Sequence, residues 1–179
     1  MLIQLRNRCE PDRHAEHDPT AMLLACHQRI RDHLELAQRL VDAHTASAGE
    51  VVEVATRLTR YFGRALPLHI EDEDQFLTAA LSQAELPGRH ALAVMSEEHL
   101  VIEPVVQSAV LLFKNLVANP SLLSDTREAL QALRLATLLL PHLELEERVI
   151  FPLIRTHLST DGQAALAQVM HDRRRHEKP

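Results

Sequence analysis

Apolar positions recur every three to four residues along most of the chain, which is the spacing of amphipathic helices. This pattern predicts four long helices, which cover residues 19–46, 51–84, 90–118 and 125–155. A short fifth helix is predicted from Thr160, where Gln163 completes a capping signature three residues later. Because the connections between the long helices are short, we predict an all-α protein that folds as an antiparallel, up-down-up-down four-helix bundle with a short C-terminal helix.

Turn and capping residues mark the ends of the predicted helices. Asp18 before Pro19 favours a helix start, since Asp accepts free backbone N–H groups and Pro is tolerated in a first turn. Asp125 with Glu128 has the spacing of a capping box for the fourth helix. Breaks between helices are expected at residues 45–50, 86–89 and 118–124. Three prolines inside the helical patterns are expected to kink their helices: Pro67, Pro104 and Pro141.

The chain divides into three predicted regions. Residues 1–17 form an irregular polar lead-in, residues 18–158 form the bundle, and residues 159–179 form the short C-terminal helix with a basic tail. The basic residues of this tail are expected to be a solvated chain end: Arg173, Arg174, Arg175 and Lys178.

The composition excludes several classes of protein. Hydrophobic residues make up 46% of the 179 residues, which is enough for one core and too much for a disordered chain. Four glycines, no tryptophan and 3% aromatic residues argue against β-sandwiches and barrels, which need aromatic strands and glycine-rich turns.

Charge and cysteine content restrict the partners and the compartment. The net charge of −6 argues against nucleic acid as the main partner, because phosphate binding depends on clustered Lys and Arg. No apolar run reaches the roughly 18 residues of a membrane span, and the N-terminus lacks the apolar run of a signal peptide. Cys9 and Cys26 are too few for a disulfide framework. We therefore expect a cytoplasmic protein with free thiols and no membrane partner.

Histidine is the unusual component, with 12 residues in the chain. One histidine lies in the middle of the apolar stripe of each long helix: His27, His69, His99 and His142. On the second and fourth stripes a glutamate follows four residues later, which places Glu73 and Glu146 on the same helix faces as their histidines. The predicted core therefore contains six polar side chains.

The second half of the chain repeats the first. His27 and His69 are 42 residues apart, and His99 and His142 are 43 residues apart. The segment LPLHIEDED around His69 is similar to LLPHLELEE around His142, with a proline shortly before the histidine in both. A pseudo-two-fold axis between the two halves would bring the histidines and glutamates together.

A metal centre explains these polar residues in the predicted core. A buried carboxylate without a partner is costly, and an unsatisfied imidazole costs about 1–3 kcal/mol. Pairing protonated histidines with the two glutamates would leave two imidazoles over, whereas metal ions accept all six side chains as ligands. Six ligands could fill one octahedral ion, but the repeat favours two ions bridged by Glu73 and Glu146. Imidazole and carboxylate without thiolate suit iron, with manganese or zinc as substitutes.

Four motifs carry a resemblance to a known family. They are His27, HIEDE from His69 to Glu73, EEH from Glu97 to His99, and HLELEERVIFP from His142 to Pro152. These motifs resemble the hemerythrin-like family, also called the HHE cation-binding family, over residues 18–158. The resemblance implies an up-down four-helix bundle around a non-haem di-iron centre, in proteins that bind dioxygen, sense oxygen, nitric oxide or iron, or act in redox stress. By motif position it implies six metal ligands: His27, His69, Glu73, His99, His142 and Glu146.

The chain departs from oxygen-carrying hemerythrins at two positions. Those proteins have a second histidine one turn before the third-helix ligand, where this chain has Met95, and the difference favours a more open and symmetric site than simple oxygen transport. Their fourth-helix carboxylate follows the histidine by five residues, which corresponds to Glu147 here. Glu146 is preferred because it lies on the apolar stripe and matches Glu73 in the repeat.

Other polar residues near the motifs are expected to have ordinary structural roles. His33 should face away from the site at the surface or its flank, Tyr61 should pack in the core, and Cys26 should be a small buried apolar residue. The remaining acids near the motifs are expected to be mostly solvated: Glu71, Asp72, Asp74, Glu97, Glu98 and Glu144. His14 and His17 would reach the site only if the lead-in folded back, which we do not expect.

Three function hypotheses follow. The first is a di-iron protein that binds or senses dioxygen, nitric oxide or peroxide. The alternative is a di-iron enzyme of oxidative or nitrosative stress, such as a peroxidase, a nitric-oxide-handling protein or an iron-centre repair protein, although no acid–base pair beyond the ligands stands out. The third is a structural bundle without metal.

Overall fold

The protein is helical throughout the residues that its structure describes. The computed structural model describes residues 18–82 and 86–176, and every element in these ranges is an α-, π- or 3-10 helix. The all-α prediction is therefore confirmed for this part of the chain. The predicted lead-in, with His14 and His17, lies outside the described residues.

The first helix, α1, spans Pro19–Asp42. Its predicted start is confirmed, because Asp18 Oδ1 accepts the backbone N–H groups of Thr20 at 2.8 Å and Ala21 at 3.2 Å. The helix ends at Asp42 rather than at the predicted residue 46.

The second helical run begins earlier than predicted and changes its winding twice. It comprises α2 (Ala48–Arg60), a π-helical turn (Tyr61–Ala65), α3 (Leu66–Glu71), a second π-helical turn (Asp72–Leu77) and α4 (Thr78–Ala80). A capping box fixes the start, since the Ser47 hydroxyl accepts the Glu50 N–H at 3.3 Å and the Glu50 carboxylate accepts the Ser47 N–H at 3.0 Å. This box lies inside the segment predicted to be a loop.

The third helix, α5, spans Leu86–Ala118 and passes through Pro104. The break predicted at 86–89 is wrong, because these residues are helical. Pro87 lies in the first turn, where a backbone N–H has no intrahelical acceptor to lose. Gly88–Ala118 is also long and apolar enough to cross a membrane by length and composition, but core helices of soluble proteins meet the same criterion.

The predicted fourth helix is divided into several elements. A 3-10 turn (Pro120–Leu122) leads into α6 (Leu123–Leu133), which is followed by α7 (Leu135–Leu145), a π-helical turn (Glu146–Ile150) and α8 (Phe151–His157). The capping box predicted at Asp125 and Glu128 is wrong, because α6 begins before both residues and Asn119 caps the 3-10 turn by accepting the Ser121 N–H at 3.2 Å. Arg134 separates α6 from α7 in the left-handed conformation, with φ 50° and ψ 39°.

The predicted C-terminal helix is present as α9, which spans Thr160–His176. Its first turn is capped one residue earlier than predicted, because the Ser159 hydroxyl accepts the Gly162 N–H at 3.2 Å. Gln163, the residue that indicated the cap in the sequence, donates from its amide to the Leu158 carbonyl oxygen at 3.0 Å.

The described residues form two compact units, and the first comprises Arg29–Leu68 and His99–Pro141. Phe62 and Phe113 lie at its centre, both fully buried, with ring centroids 6.2 Å apart. Arg127 donates hydrogen bonds to two carbonyl oxygens at the end of α1, which satisfies acceptors that the helix leaves free.

The second unit contains residues 18–28, 69–82, 86–98 and 142–176 of the described chain. Its apolar core draws on all of these segments and consists of Leu23, Leu77, Leu81, Ala91, Leu92, Met95, Ile150, Phe151, Ile154, Leu166 and Met170. Because Leu166 and Met170 belong to α9, the C-terminal helix is an integral part of this unit.

Candidate metal centre

Five of the six predicted ligands lie in the second unit, and all five are buried. The ring of His27 in α1 packs against Phe151, with 5.0 Å between centroids. His69 in α3 is followed by Glu73 in the π-helical turn Asp72–Leu77. In the same way, His142 in α7 is followed by Glu146, the first residue of the π-helical turn Glu146–Ile150. Each HxxxE element thus runs from an α-helix into a π-helical turn, in keeping with the sequence repeat.

The Nε2 atoms of the histidines converge on the two carboxylates. His27 Nε2 lies 3.1 Å from Glu146 Oε2 and 3.7 Å from Glu73 Oε1. His69 Nε2 lies 3.3 Å from Glu73 Oε1, and His142 Nε2 lies 3.1 Å from Glu146 Oε1. Each carboxylate is therefore in contact with two of the imidazoles.

These atoms form two groups that share both carboxylates. The donor atoms of His27, His69, Glu73 and Glu146 all lie within 4.8 Å of one another. Those of Glu73, His142 and Glu146 satisfy the same condition. The arrangement offers two adjacent positions for a cation, with carboxylate oxygens available to both.

Two further glutamates contact the opposite nitrogens of the imidazole rings. His27 Nδ1 lies 2.8 Å from Glu147 Oε1, and His142 Nδ1 lies 2.8 Å from Glu98 Oε2. If each Nδ1–H donates to its carboxylate, the lone pair of Nε2 is directed at the cluster, which is the tautomer that a metal requires. Glu98 was expected to be mostly solvated; its side chain is 39% exposed, and its carboxylate also contacts His142.

The geometry distinguishes Glu146 from Glu147. Glu146 is fully buried and contacts the Nε2 atoms of His27 and His142. Glu147 is partly exposed and contacts the other ring nitrogen of His27, Nδ1. The arrangement is that of an inner carboxylate beside an outer hydrogen-bond acceptor.

The two inner carboxylates have opposite pKa shifts. Burial raises the pKa of Glu73 well above its usual value, and the nearby charge of Glu146 raises it further. Burial also opposes ionisation of Glu146, but hydrogen bonds from His142 and His27 outweigh it and lower the pKa of Glu146. The pKa of His142 is raised despite burial, because it hydrogen-bonds to Glu146. Without a metal, the site therefore holds less negative charge than two ionised carboxylates would give.

The donor set fits a metal ion. Two carboxylates and three imidazoles lie in an environment from which water is excluded, where a divalent cation compensates charges that are otherwise costly to bury. Nitrogen and oxygen donors are present, and no cysteine sulfur belongs to either group in the described residues. Cys26 is buried beside His27, as expected for a small apolar residue.

His99 and Met95 lie on α5. His99 is 2% exposed and directly follows Glu98, but it is the first residue of α5 that belongs to the first unit. Its role as a ligand stays a prediction. Met95, at the position where oxygen carriers have a second histidine, is fully buried in the apolar core of the second unit.

Several neighbouring residues differ from the sequence-based expectations. His33 is buried rather than superficial, and its ring stacks on Tyr61 with 3.6 Å between centroids. Asp72 is 1% exposed rather than solvated. Arg173 is not a free part of the tail, because its guanidinium contacts Asp72 and Glu71. The sequence carried no periodic signal for these contacts, since they join segments far apart in the chain.

Comparison with known proteins identifies the family. No curated protein sequence matches the chain significantly. The family model of the hemerythrin HHE cation-binding domain matches residues 18–154. This match confirms the predicted hemerythrin-like helical bundle, and together with the buried histidine and glutamate cluster it fits a metal-binding protein. The chain belongs to the hemerythrin family of HHE cation-binding domains.

Proposed function

We propose that the protein is a non-haem di-iron protein that binds or senses a small diatomic or oxidant ligand, such as dioxygen, nitric oxide or peroxide. The observation that carries the proposal is that two groups of donor atoms share both Glu73 and Glu146. Shared carboxylates support two closely spaced cations, because each carboxylate offsets part of their mutual repulsion.

The proposed ligand assignment follows the two groups. His27 and His69 would hold one ion, His142 and His99 would hold the other, and Glu73 and Glu146 would serve both. Glu147 and Glu98 hold the Nδ1 protons of His27 and His142, which keeps the Nε2 atoms directed at the ions. His99 is included because it is buried and occupies the place of His27 in the sequence repeat.

Iron is the proposed metal because imidazole and carboxylate donors without thiolate suit it, and manganese or zinc are the expected substitutes. When bound, two iron ions supply a reversible change of oxidation state and coordination positions for a small ligand. The six side chains would occupy about eight of roughly twelve ligand positions on two ions, which would leave room for such a ligand.

Anaerobic reconstitution with Fe²⁺, followed by desalting and elemental analysis, tests the proposal. We expect about two iron ions per chain, from the two sets of donors. His69→Ala is expected to lose iron, whereas His157→Ala, which replaces an exposed histidine of α8, should match the wild type. A value near zero for the wild type would overturn the metal centre, and a firm value of one would overturn its dinuclear form.

The reconstituted protein is then mixed separately with dioxygen, nitric oxide and hydrogen peroxide, and its absorption spectrum is recorded. A change that saturates at a fixed ratio of ligand to protein supports binding or sensing. Consumption of many equivalents of peroxide or nitric oxide per chain would instead favour the enzymatic alternative. No spectral response to any of the three would contradict the proposed ligand class.

A further inference from the structure

The C-terminal helix α9 places a charged side chain against the two residues that precede Glu73 in the chain. Arg173 Nη2 lies 2.9 Å from Glu71 Oε2, and Arg173 Nη1 lies 3.3 Å from Asp72 Oδ1. Its guanidinium also lies 5.7 Å from the centre of the Phe76 ring. Glu71 and Asp72 directly precede Glu73, so one side chain of α9 contacts both residues before a bridging carboxylate.

The contact with Asp72 is largely shielded from water. The Asp72 side chain is fully buried and that of Arg173 is 16% exposed. A buried carboxylate is costly unless a cation accompanies it, and removal of one partner of a buried ion pair is strongly destabilising. Arg173 is therefore more than a solvated residue of a basic tail.

The segment that Arg173 contacts has an irregular backbone. Asp72–Leu77 is a π-helical turn, in which the i to i−4 ladder of an α-helix is interrupted. The residues on both sides of Glu73 are held by side chains from elsewhere, since Asp72 contacts Arg173 and Asp74 accepts the Ser96 hydroxyl at 2.9 Å. The direction of the Glu73 carboxylate therefore depends on tertiary contacts as well as on helix geometry.

Apolar packing brings α9 to this position. Leu166, Ala167 and Met170 are buried, and Leu166 and Met170 share a core with Leu77 and Leu81, which follow Glu73 in the chain. Because three residues turn an α-helix by about 300°, Arg173 lies about 60° from Met170 around α9, toward the same core-facing side. The apolar contacts thus dock the helix, and Arg173 forms its polar contact with the π-helical turn.

We infer that Arg173 is a positioning residue of the metal centre, which fixes the π-helical turn Asp72–Leu77 through Asp72 and thereby orients Glu73 toward the ions. This inference rests on the proposed metal-binding function. It assigns to α9, which lies beyond the segment matched by the family model, a direct influence on how tightly the metal is held.

Co²⁺ binding to the full-length protein tests the inference, because its visible spectrum reports the coordination geometry independently of any activity. Arg173→Met removes the charge but keeps an unbranched side chain, and we expect about 10–100-fold weaker Co²⁺ binding with an altered visible spectrum. Arg175→Met is the matched control, since Arg175 is exposed and pairs only with Asp172 of the same helix in the contacts seen here. Arg173→Lys should recover most of the affinity, because it restores the charge.

The double variant Asp72→Asn/Arg173→Met separates positioning from folding. It removes the buried carboxylate that Arg173→Met leaves without its partner, so we expect it to fold. It still lacks the contact that fixes the turn, so we expect it to bind Co²⁺ about as weakly as Arg173→Met. Helicity from circular dichroism identifies any variant that fails to fold, and the double variant then decides the question. If the double variant also fails to fold, or if it folds and binds Co²⁺ as tightly as the wild type, the inference is wrong.

Two other outcomes are equally decisive. If Arg173→Met has the affinity and the spectrum of Arg175→Met and of the wild type, Arg173 does not position the site. If the wild type itself binds neither Co²⁺ nor Fe²⁺, the proposed metal-binding function fails. This failure is distinguishable from failure of the Arg173 inference, because it is seen in the wild type without any variant.

Discussion

Adjacent glutamates in the fourth helical run have different surroundings. Glu146 contacts Nε2 of two histidines in the buried cluster, whereas Glu147 contacts Nδ1 of His27. Glu146 belongs to both donor groups, whereas Glu147 contacts the nitrogen of His27 that does not face the cluster. Mutating the two residues should therefore affect metal binding differently. The pair therefore allows the ligand assignment to be tested at single-residue resolution.

We predict that Glu73→Ala and Glu146→Ala have similar effects, because both carboxylates belong to both donor groups. Each variant should lose most of the second metal ion. Glu147→Ala should retain both ions at saturating metal but bind them about 10–100-fold more weakly, through loss of the hydrogen bond to His27. Metal titration followed by elemental analysis measures both quantities.

Glu144→Ala is the control for these variants, since Glu144 is exposed on the same helical run and pairs with Arg148 at the surface. It should behave as the wild type. If Glu147→Ala lost an ion while Glu146→Ala kept both, Glu147 would be the bridging ligand and the assignment would have to be exchanged.

His33, in the first unit, is a buried histidine outside the cluster with a testable electrostatic effect. Its Nδ1 donates to the Arg29 carbonyl oxygen at 2.7 Å, and its ring stacks on Tyr61. Burial lowers the pKa of His33 below its usual value of 6.5, although the backbone hydrogen bond acts in the opposite direction. As the pH falls below 6.5, the unfolded chain therefore takes up this proton before the folded protein does.

We predict that this histidine makes the metal-free protein less stable as the pH falls from about 7 to 5. In His33→Phe the free energy of unfolding should decrease less over this range than in the wild type, because the titrating group is gone. Urea unfolding at several pH values measures the difference. His90→Phe, at an exposed position of α5, should keep the wild-type dependence, and parallel curves for wild type and His33→Phe would refute the prediction.

At the scale of helices, the repeat in the sequence corresponds to a repeat in the winding of the chain. Glu73 and Glu146 each lie in a π-helical turn that follows an α-helical segment with the histidine. Such turns are uncommon and often occur at functional sites, where they redirect a side chain. The two halves therefore share local geometry as well as residue spacing.

The left-handed residue Arg134 gives a prediction for the fourth helical run. A residue with a Cβ atom pays about 1–2 kcal/mol in this conformation, which glycine avoids. Arg134→Gly should therefore raise the free energy of unfolding by about 1 kcal/mol, after glycine's greater freedom in the unfolded chain is counted. Gln131→Gly, in the regular part of α6, should lower it by about 1 kcal/mol. Urea unfolding distinguishes the two, and destabilisation by both would contradict the left-handed break.

At the scale of the whole molecule, the buried cluster couples metal binding to folding. Three imidazoles and two carboxylates in an apolar core are poorly compensated without a cation. Metal binds the folded state and adds about 2.7 kcal/mol of stability when its concentration is a hundredfold above Kd. The metal-free protein should therefore melt several degrees below the metal-bound form while keeping most of its helicity, and circular dichroism with and without chelator measures this. Equal melting temperatures would contradict a buried metal centre.

A double variant tests the same coupling from the other side. His69→Leu with His142→Leu should abolish metal binding but raise the stability of the metal-free protein, because two buried polar groups become apolar. His157→Leu, at an exposed position, should change neither property. A double variant that is less stable than metal-free wild type would show that the imidazoles stabilise the core through their hydrogen bonds.

Much of this protein follows from residue spacing alone. The three- to four-residue apolar period specifies helices because it places one continuous stripe on one face, and the Asp18 cap and the C-terminal helix α9 were recognisable for similarly local reasons. The HxxxE spacing places a histidine and a glutamate on one face, so the sequence alone predicts the polar cluster. Local sequence did not predict two features correctly: residues 86–89 are helical rather than a break, and Arg134 interrupts the fourth helical run. Proline and arginine are each compatible with more than one backbone conformation at these positions.

Tertiary structure decided which residues surround the cluster. Glu98 and Glu147 read as solvated acids or alternative ligands in the sequence, and only the packing of distant segments placed them on His142 and His27. Arg173 and Asp72 are about a hundred residues apart, and no helical period relates them. Periodicity within a helix fixes which face a side chain occupies, because the backbone sets the rotation of about 100° per residue around the helix axis. Partners across helices depend on how the helices dock, and docking is a property of the folded core as a whole.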